Sequence, residues 1–471
     1  MSDVRDSAPV VAVVGLGKIG LPLAVQYARR GHRAIGCDIN PRVVDMINSG
    51  CSHVAEEPEL ASAVPMLVRQ GLLSATTETA QAVAKAGFVV VIVPVVVDQQ
   101  HRADFAWIDA ATSAIGTGLQ SGTLVIYETT LPVGTTAGRF RSSLERSSHL
   151  KAGKDFLLAY SPERVSSGYI FRDLQNYPKI VGGINEPSTD AAVTFYRAVL
   201  DAEIIPMSST NDAEFVKLIE TTYRDVNIAL ANEYARYADL HGLDAASAIA
   251  AANTQPYSHI HLPSVGVGGH CIPVYPYFLL QDLLEDEMEQ AILRPAHLLL
   301  PRTARQVNDA MAEYAVQRIE AEIGSLVKQE VLMLGVAYRG GVRETAFSSA
   351  QLLAQALQRH GAVVYVDDPL YSSSELSEMG YTPLPESRKQ AVRAIVLQAE
   401  HAQYREFDFG EFTGCEVLLD GRRAFDRRAV EAVGIRYLAI GDGRYGAVTR
   451  KHDQAGPIEQ PALRMMQGRK S

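Results

Sequence analysis

Residues 9–38 read PVVAVVGLGKIGLPLAVQYARRGHRAIGCD. An apolar run enters a glycine turn, a helix-periodic segment follows, and a second apolar run ends on Asp38, so the stretch predicts strand, turn, helix and strand. Gly15 permits the tight turn, Gly17 leaves the backbone open to a pyrophosphate, and Gly20 lets helix and strand pack closely. The helix N-terminus favours the phosphate charge. Asp38, 18 residues after Gly20, is placed to hydrogen-bond a ribose 2′-OH and to repel a 2′-phosphate, which selects NAD over NADP. Lys18 and Ile19, inside the turn, are expected to join these residues as cofactor contacts. The alternative is a purely structural glycine turn; the complete strand–helix–strand context with its acid favours the nucleotide.

The pattern extends outward. FVVVIVPVVV (88–97) is a continuous apolar run, expected as one strand buried on both faces, and its Pro94 is a further cofactor-contact candidate. TLVIYETTLPVGTT (123–136) and DFLLAYSPERVSSG (155–168) read as strands with exit loops. Strands alternating with helices indicate a doubly wound parallel α/β sheet to about residue 205. A helix of about 30 residues follows, with Asn211 and Glu214 as a capping box and Gly242 as its stop. Helical character continues to about residue 320. The α/β pattern then resumes through EVLMLGVAYRG, RAIVLQAE, CEVLLDGR and IRYLAIGDGR. The expected domains are 1–205, 206–320 and 321–447, with a polar tail at 448–471.

A chain of 471 residues with 47% hydrophobic content is long enough for two or three domains. Net charge is −10 and no dense basic run is present, which argues against nucleic acid as a partner. The four cysteines, Cys37, Cys51, Cys271 and Cys415, are scattered, so neither a disulfide framework nor a metal site is expected. The N-terminus does not read as a signal peptide and no run reaches membrane-spanning length. The cytoplasm is the expected compartment, without membrane attachment.

Several side chains are candidates for chemistry. Cys271 in GVGGHC is either a small buried thiol or a nucleophile for an aldehyde held beside a nicotinamide. Lys217 is either a lysine reaching for solvent or a cation that stabilises an oxyanion; Thr221 and Arg224 share its helix face. Glu163 in YSPERV follows a strand end, the usual ligand edge of such sheets, and either acts as a base on water or caps the next element. Thr130 in YETTLPVGTT has a similar position.

Together GLGKIGLPLA, TTLPVGTT, YSPERVSSG, PKIVGG, AEFVKLIE, GVGGHC, LGVAYRG and LLDGRR resemble the UDP-glucose/GDP-mannose dehydrogenase family, in order, over about residues 10–445. The resemblance implies two Rossmann-like domains joined by a long helix and a helical middle domain, and a homodimer through that middle domain. It also implies oxidation of a nucleotide sugar at C6 to the uronic acid with two NAD. It puts the thiol nucleophile on Cys271, the oxyanion-binding lysine on Lys217, and the water-handling residues on Glu163 and Thr130. Arg343 falls on a cofactor-contacting arginine and Arg422 on a nucleotide-sugar-contacting one; Gly268, Arg224 and Arg339 complete the expected substrate contacts. RDVNIALANE and GGHC are more similar to members acting on UDP-N-acetylhexosamines.

Some positions depart from the family. Thr221 stands where an Asn is usual, Tyr275 where an Asp is usual, Tyr257 where many members carry an arginine that reaches the partner subunit's substrate, and Arg339 where a lysine is common. A phenol cannot replace a carboxylate as a base at neutral pH. Two alternatives therefore stay beside the double oxidation: a single or redox-neutral conversion, or a non-catalytic sugar-nucleotide-binding protein.

Overall fold

The computed structural model describes residues 8–98, 100–281 and 298–444; the tail expected at 448–471 lies outside them. The chain forms two compact units, Met1–Val226 with His270–Thr303 and Asn227–Gly269 with Ala304–Ser471.

The first unit is built on an eight-stranded sheet. Its spatial order is Ile204–Pro206, Lys179–Gly183, Leu157–Tyr160, Leu124–Tyr127, Phe88–Val91, Val10–Val14, Arg33–Cys37 and Leu73–Thr76. Pairings are parallel except between Leu157–Tyr160 and Lys179–Gly183, so the start of the latter strand lies at the same edge as the end of the former. Val11 and Val13 enter one core cluster and Ala12 and Val14 another. Covering both faces this way explains why the strands read as unbroken apolar runs.

The second unit holds a five-stranded parallel sheet, ordered Val363–Asp367, Glu330–Leu334, Val392–Leu397, Val417–Asp420 and Arg436–Ala439. It too is covered on both faces: Val331 and Met333 pack in one cluster, Leu332 and Leu334 in the other.

Two local expectations are corrected. The 88–97 run is not one strand: Phe88–Val91 ends before Pro94, and Val96–Val97 pairs antiparallel with Ala103–Asp104. Proline has no amide for a central ladder. The long helix is Thr210–His241, 32 residues, ending before Gly242 at φ +70°, as expected. Its start is not capped by Asn211 and Glu214. Ser209 Oγ accepts from Asp212 N at 3.1 Å and donates to Asp212 Oδ2 at 2.7 Å, which frees Glu214 for a loop described below. Among the described residues no helix is long and apolar enough to cross a membrane.

Candidate active site

The glycine turn sits where the strand order of the first sheet reverses, between Val10–Val14 and Phe88–Val91, the usual place for a ligand in such sheets. Gly15 has φ +95°. A Cβ on Gly20 would lie 1.8 Å from Gly15 O, whereas one on Gly17 would meet nothing within 4 Å. Gly20 is therefore required by packing, and Gly17 is open on the side a pyrophosphate would approach. Ile19 precedes the helix Gly20–Arg29, and Lys18 Nζ donates to Glu56 at 2.7 Å. Asp38 Oδ2 accepts from Leu16 N and Oδ1 from Asn40 N, both at 2.9 Å. Pro94 is exposed in the loop after Val91. The residues present fit an NAD.

Thr130 follows strand Leu124–Tyr127 and is 4% exposed. Its loop is clamped from two sides. Thr129 Oγ1 donates to Val93 O at 2.7 Å, and Glu214 accepts from Gly134 N at 2.6 Å and Thr136 N at 2.9 Å. Burial pushes the Glu214 carboxyl up to about 7 against these bonds.

Cys271 is half-buried. Its carbonyl accepts from Tyr275 N at 2.9 Å, a helical turn that stacks the side chains of residues four apart on one face. Val274 and Phe278 anchor this turn in the core beside Leu131 and Leu218. The Tyr275 hydroxyl interacts with the side chains of both Thr130 and Cys271. Burial first, then the thiol's charge, push that phenol well above its ordinary range, so it is a neutral hydrogen-bond donor. Tyr275 thus belongs beside the cysteine.

Lys217 is 7% exposed on the long helix. Thr221 Oγ1 donates to Lys217 O at 2.8 Å; its one proton is spent on its own helix. Arg224 is exposed.

Glu163 is held more firmly than its sequence suggested. Its Oε2 lies 2.8 Å from Lys179 Nζ, and Oε1 accepts from Arg164 N at 2.7 Å and Val165 N at 3.0 Å. Burial would raise it, yet the Lys179 ammonium and these bonds hold it down to about 2. Lys179 also donates to Glu128 Oε2 at 2.8 Å, while the hydroxyls of Tyr27 and Tyr196 donate to Glu128 Oε1 at 3.1 and 2.6 Å. Glu128 and Lys179 were missed as site residues. The available signal was a charged side chain flanking a buried strand, in YETT and YPKIVGG. Tyr160, fully buried, is raised by burial and then by Glu214, Tyr275 and Glu128, which places these groups in one neighbourhood.

In the second unit, Arg422 Nε donates to Gln398 O at 2.6 Å. Its Nη2 is buried without a partner among the described residues, as a group awaiting an anion would be. Arg339 Nε donates to the Tyr338 hydroxyl at 3.2 Å. Arg343 is exposed, pairs with Glu375 and donates to Leu370 O at 3.0 Å. Gly268 has a packing reason: a Cβ there would sit 2.8 Å from Tyr338 Cβ. Tyr257 is 89% exposed.

Comparison with known proteins bears on these sites. Residues 10–200 match the NAD binding domain of the UDP-glucose/GDP-mannose dehydrogenase family, 211–301 its central domain and 332–427 its UDP binding domain. The UDP-N-acetyl-D-mannosamine dehydrogenase of Pyrococcus horikoshii is 33% identical over 92% of this chain and 99% of its own. The NDP-N-acetyl-D-galactosaminuronic acid dehydrogenase of Ralstonia nicotianae is 32% identical over 90% and 97%. Among solved structures, a UDP-D-ManNAc dehydrogenase from Pyrococcus horikoshii aligns over 92% of this chain and 99% of its own with TM-score 0.82 and 32% identity.

Proposed function

The chain belongs to the UDP-glucose/GDP-mannose dehydrogenase family, and we propose that its substrate within that family is a UDP-N-acetylhexosamine. It is an NAD-dependent nucleotide-sugar dehydrogenase that forms a uronic acid. The similarity to UDP-N-acetyl-D-mannosamine and NDP-N-acetyl-D-galactosaminuronic acid dehydrogenases supports the N-acetylated sugar.

The observation that carries the mechanism is the grouping of Cys271, Tyr275 and Thr130 in the unit that also holds the glycine turn. NAD, when bound, supplies a two-electron acceptor for each of two oxidations. The chain's residues do the rest. Cys271 adds to the C6 aldehyde formed by the first oxidation, giving a thiohemiacetal; its oxidation leaves a thioester. Lys217, buried on the long helix, stabilises the oxyanions. Tyr275 donates to the sulfur and Thr130 orients water. Glu163 takes a proton from that water during hydrolysis. Gly15, Gly17, Lys18, Ile19, Gly20, Asp38, Pro94 and Arg343 are the proposed cofactor contacts. Arg224, Gly268, Arg339 and Arg422 are the proposed nucleotide-sugar contacts.

The test is NADH formed per sugar consumed, with UDP-N-acetyl-D-mannosamine and UDP-N-acetyl-D-galactosamine beside UDP-, GDP- and dTDP-hexoses. Two NADH per sugar, with product mass raised by one oxygen less two hydrogens, is expected. Cys271→Ser should abolish uronate; full uronate output from that variant would contradict the mechanism.

A homodimer through the middle segment belongs to the same proposal. Helix Thr210–His241 leaves Leu230, Tyr234, Tyr237 and Leu240 39–60% exposed at helical spacing, an apolar stripe of the kind a partner covers. Sedimentation of the wild type against Tyr234→Glu checks it; equal monomeric mass for both would refute it.

A further inference from the structure

The buried cluster around Lys179 enters the mechanism so far only through Glu163. Two carboxyl groups share one ammonium, each 2.8 Å from Lys179 Nζ, and they also lie within hydrogen-bonding reach of each other. Carboxyls this close do not titrate independently, and one of them becomes the proton holder.

The surroundings decide which one. Glu163 Oε1 accepts two backbone N–H groups, fixed donors that favour its charged form. Among the described residues, Glu128 Oε1 faces the hydroxyls of Tyr27 and Tyr196, which can turn to accept instead of donate. Burial, then the charge of Glu163, push Glu128 up to about 7, although Lys179 pulls it down. Burial acts against the Lys179 charge, but both carboxylates hold its ammonium above its ordinary range. The other groups facing the cluster leave this assignment intact. Tyr160 approaches Glu128 from strand Leu157–Tyr160 as a phenol. The Arg164 guanidinium turns away to Glu220 at 2.9 Å and Pro178 O at 3.1 Å.

A carboxylate bound as tightly as Glu163 is a weak base by itself. We propose that Glu128 and Lys179 are positioning residues for thioester hydrolysis: Lys179 fixes the Glu163 carboxylate, and Glu128 receives the proton that Glu163 takes from water. This rests on the reading in which Cys271 carries the acyl group. Water oxygen adds to the thioester carbonyl carbon and its proton goes to Glu163. The C–S bond breaks, with the electron pair leaving on the Cys271 sulfur. The proton then passes from Glu163 to Glu128 through their direct contact. Nothing is oxidised or reduced in this step.

The experiment uses the full chain, NAD and the better UDP-N-acetylhexosamine substrate, across pH, with wild type, Glu128→Gln, Lys179→Arg and Lys179→Met. Glu128→Gln should release two NADH per subunit once and then stall, with hydrolysis slowed about a hundredfold. Intact-protein mass spectrometry should show the acyl group on Cys271, and the wild-type acid limb near neutral pH should vanish. Lys179→Arg should retain the acid limb and Lys179→Met should move it to higher pH, because the ammonium that pulls Glu128 down is gone. Infrared titration of the unliganded wild type should show a buried protonated carboxyl that ionises near neutral pH and is missing from Glu128→Gln. Absence of that signal from the wild type, or wild-type hydrolysis by a folded Glu128→Gln, overturns the proposal. If the wild type oxidises no sugar, the functional reading fails, while the infrared titration still decides the proton-sharing pair.

Discussion

The two sheets begin with the same loop and then diverge. In the first unit Gly15, at φ +95°, donates its amide to Cys37 O at 2.8 Å, and Leu16 N donates to Asp38 at 2.9 Å. In the second, Gly335, at φ +87°, donates to Asp367 O at 2.8 Å, and Val336 N donates to Asp368 at 2.8 Å. After that the first chain enters its helix at Gly20, whereas the second runs through Arg339 and Arg343 before a helix at Ser349. Asp38 remains half-buried. Asp368 is 2% exposed and also accepts from His401 Nε2 at 3.2 Å. Gly341 N donates to His401 Nδ1, which puts the ring proton on the Asp368 side. Under the proposed contacts, one glycine–carboxylate turn serves two ligands. The first would offer backbone amides and a helix N-terminus to a pyrophosphate; the second spends its acid internally and carries the arginines proposed for recognition.

The harshest way to break this comparison is to fill the close approaches. A Cβ on Gly20 would lie 1.8 Å from Gly15 O, and one on Gly340 1.8 Å from Glu400 O. Gly20→Ala and Gly340→Ala should each cost about 3 kcal/mol in thermal or denaturant unfolding. Gly20→Ala should lose NADH binding with UDP binding retained, and Gly340→Ala the reverse, in fluorescence and calorimetric titrations. Equal loss of both ligands in either variant would end the division of labour. Gly17→Ala, with nothing for its Cβ to meet, should weaken NADH binding and leave unfolding unchanged.

The matching acids should separate next. Asp368→Asn removes a buried charged acceptor with three bonds and should cost about 2 kcal/mol of stability, with no change in cofactor preference. Asp38→Asn should cost less and raise the NADP to NAD ratio of kcat/KM about tenfold, a gain of about 1.4 kcal/mol for the phosphorylated ribose. Unchanged preference in Asp38→Asn would remove that residue from cofactor selection.

The strands of both sheets were legible because strands buried on two faces leave unbroken apolar runs, but the turn after Leu334 read only as a strand and its loop. The turn at 15–20 was readable residue by residue. Tyr275 was legible only as a departure from the family's usual Asp; that its side chain lies beside Cys271 follows from the helical turn that the fold puts between them. The break in 88–97 was misjudged because hydropathy outweighed Pro94. The buried cluster was missed for a different reason. Glu128 meets Tyr196 and Tyr27 at separations of 68 and 101 residues, and a charged residue at a strand end reads the same whether it faces water or the core. Glu214 was misassigned because its partners, Gly134 and Thr136, lie about 80 residues upstream, while Asn211 was adjacent.

Glu214 offers a pH test confined to the first unit. Burial sets its carboxyl at about 7, above the unfolded value near 4.3. A raised folded value means that the protonated form favours the fold. This contribution is fully present below about pH 4.3 and is lost as pH rises through about 7, on the order of 1–3 kcal/mol. Denaturant unfolding across that window should show the decline, and Glu214→Gln should make it shallower, leaving the share that Glu128, also raised to about 7, contributes. A decline of equal slope in the variant would assign the effect elsewhere.

The smallest expected effect is the most specific. Tyr275→Phe leaves both glycine turns and every arginine untouched and removes only the hydroxyl that reaches Thr130 and Cys271. A hydrogen bond of this kind contributes about 1 kcal/mol, so kcat should fall about fivefold, with KM for NAD and for the nucleotide sugar unchanged. Alkylation of Cys271 should require a higher pH, because the thiolate loses its donor. Tyr275→Asp restores the acid usual in the family but sets a negative charge beside the sulfur, and should shift thiol alkylation to a still higher pH. If Tyr275→Phe changed KM and spared both kcat and the alkylation profile, the phenol would be a substrate contact, and the reacting sulfur would depend on Lys217 and the fold alone.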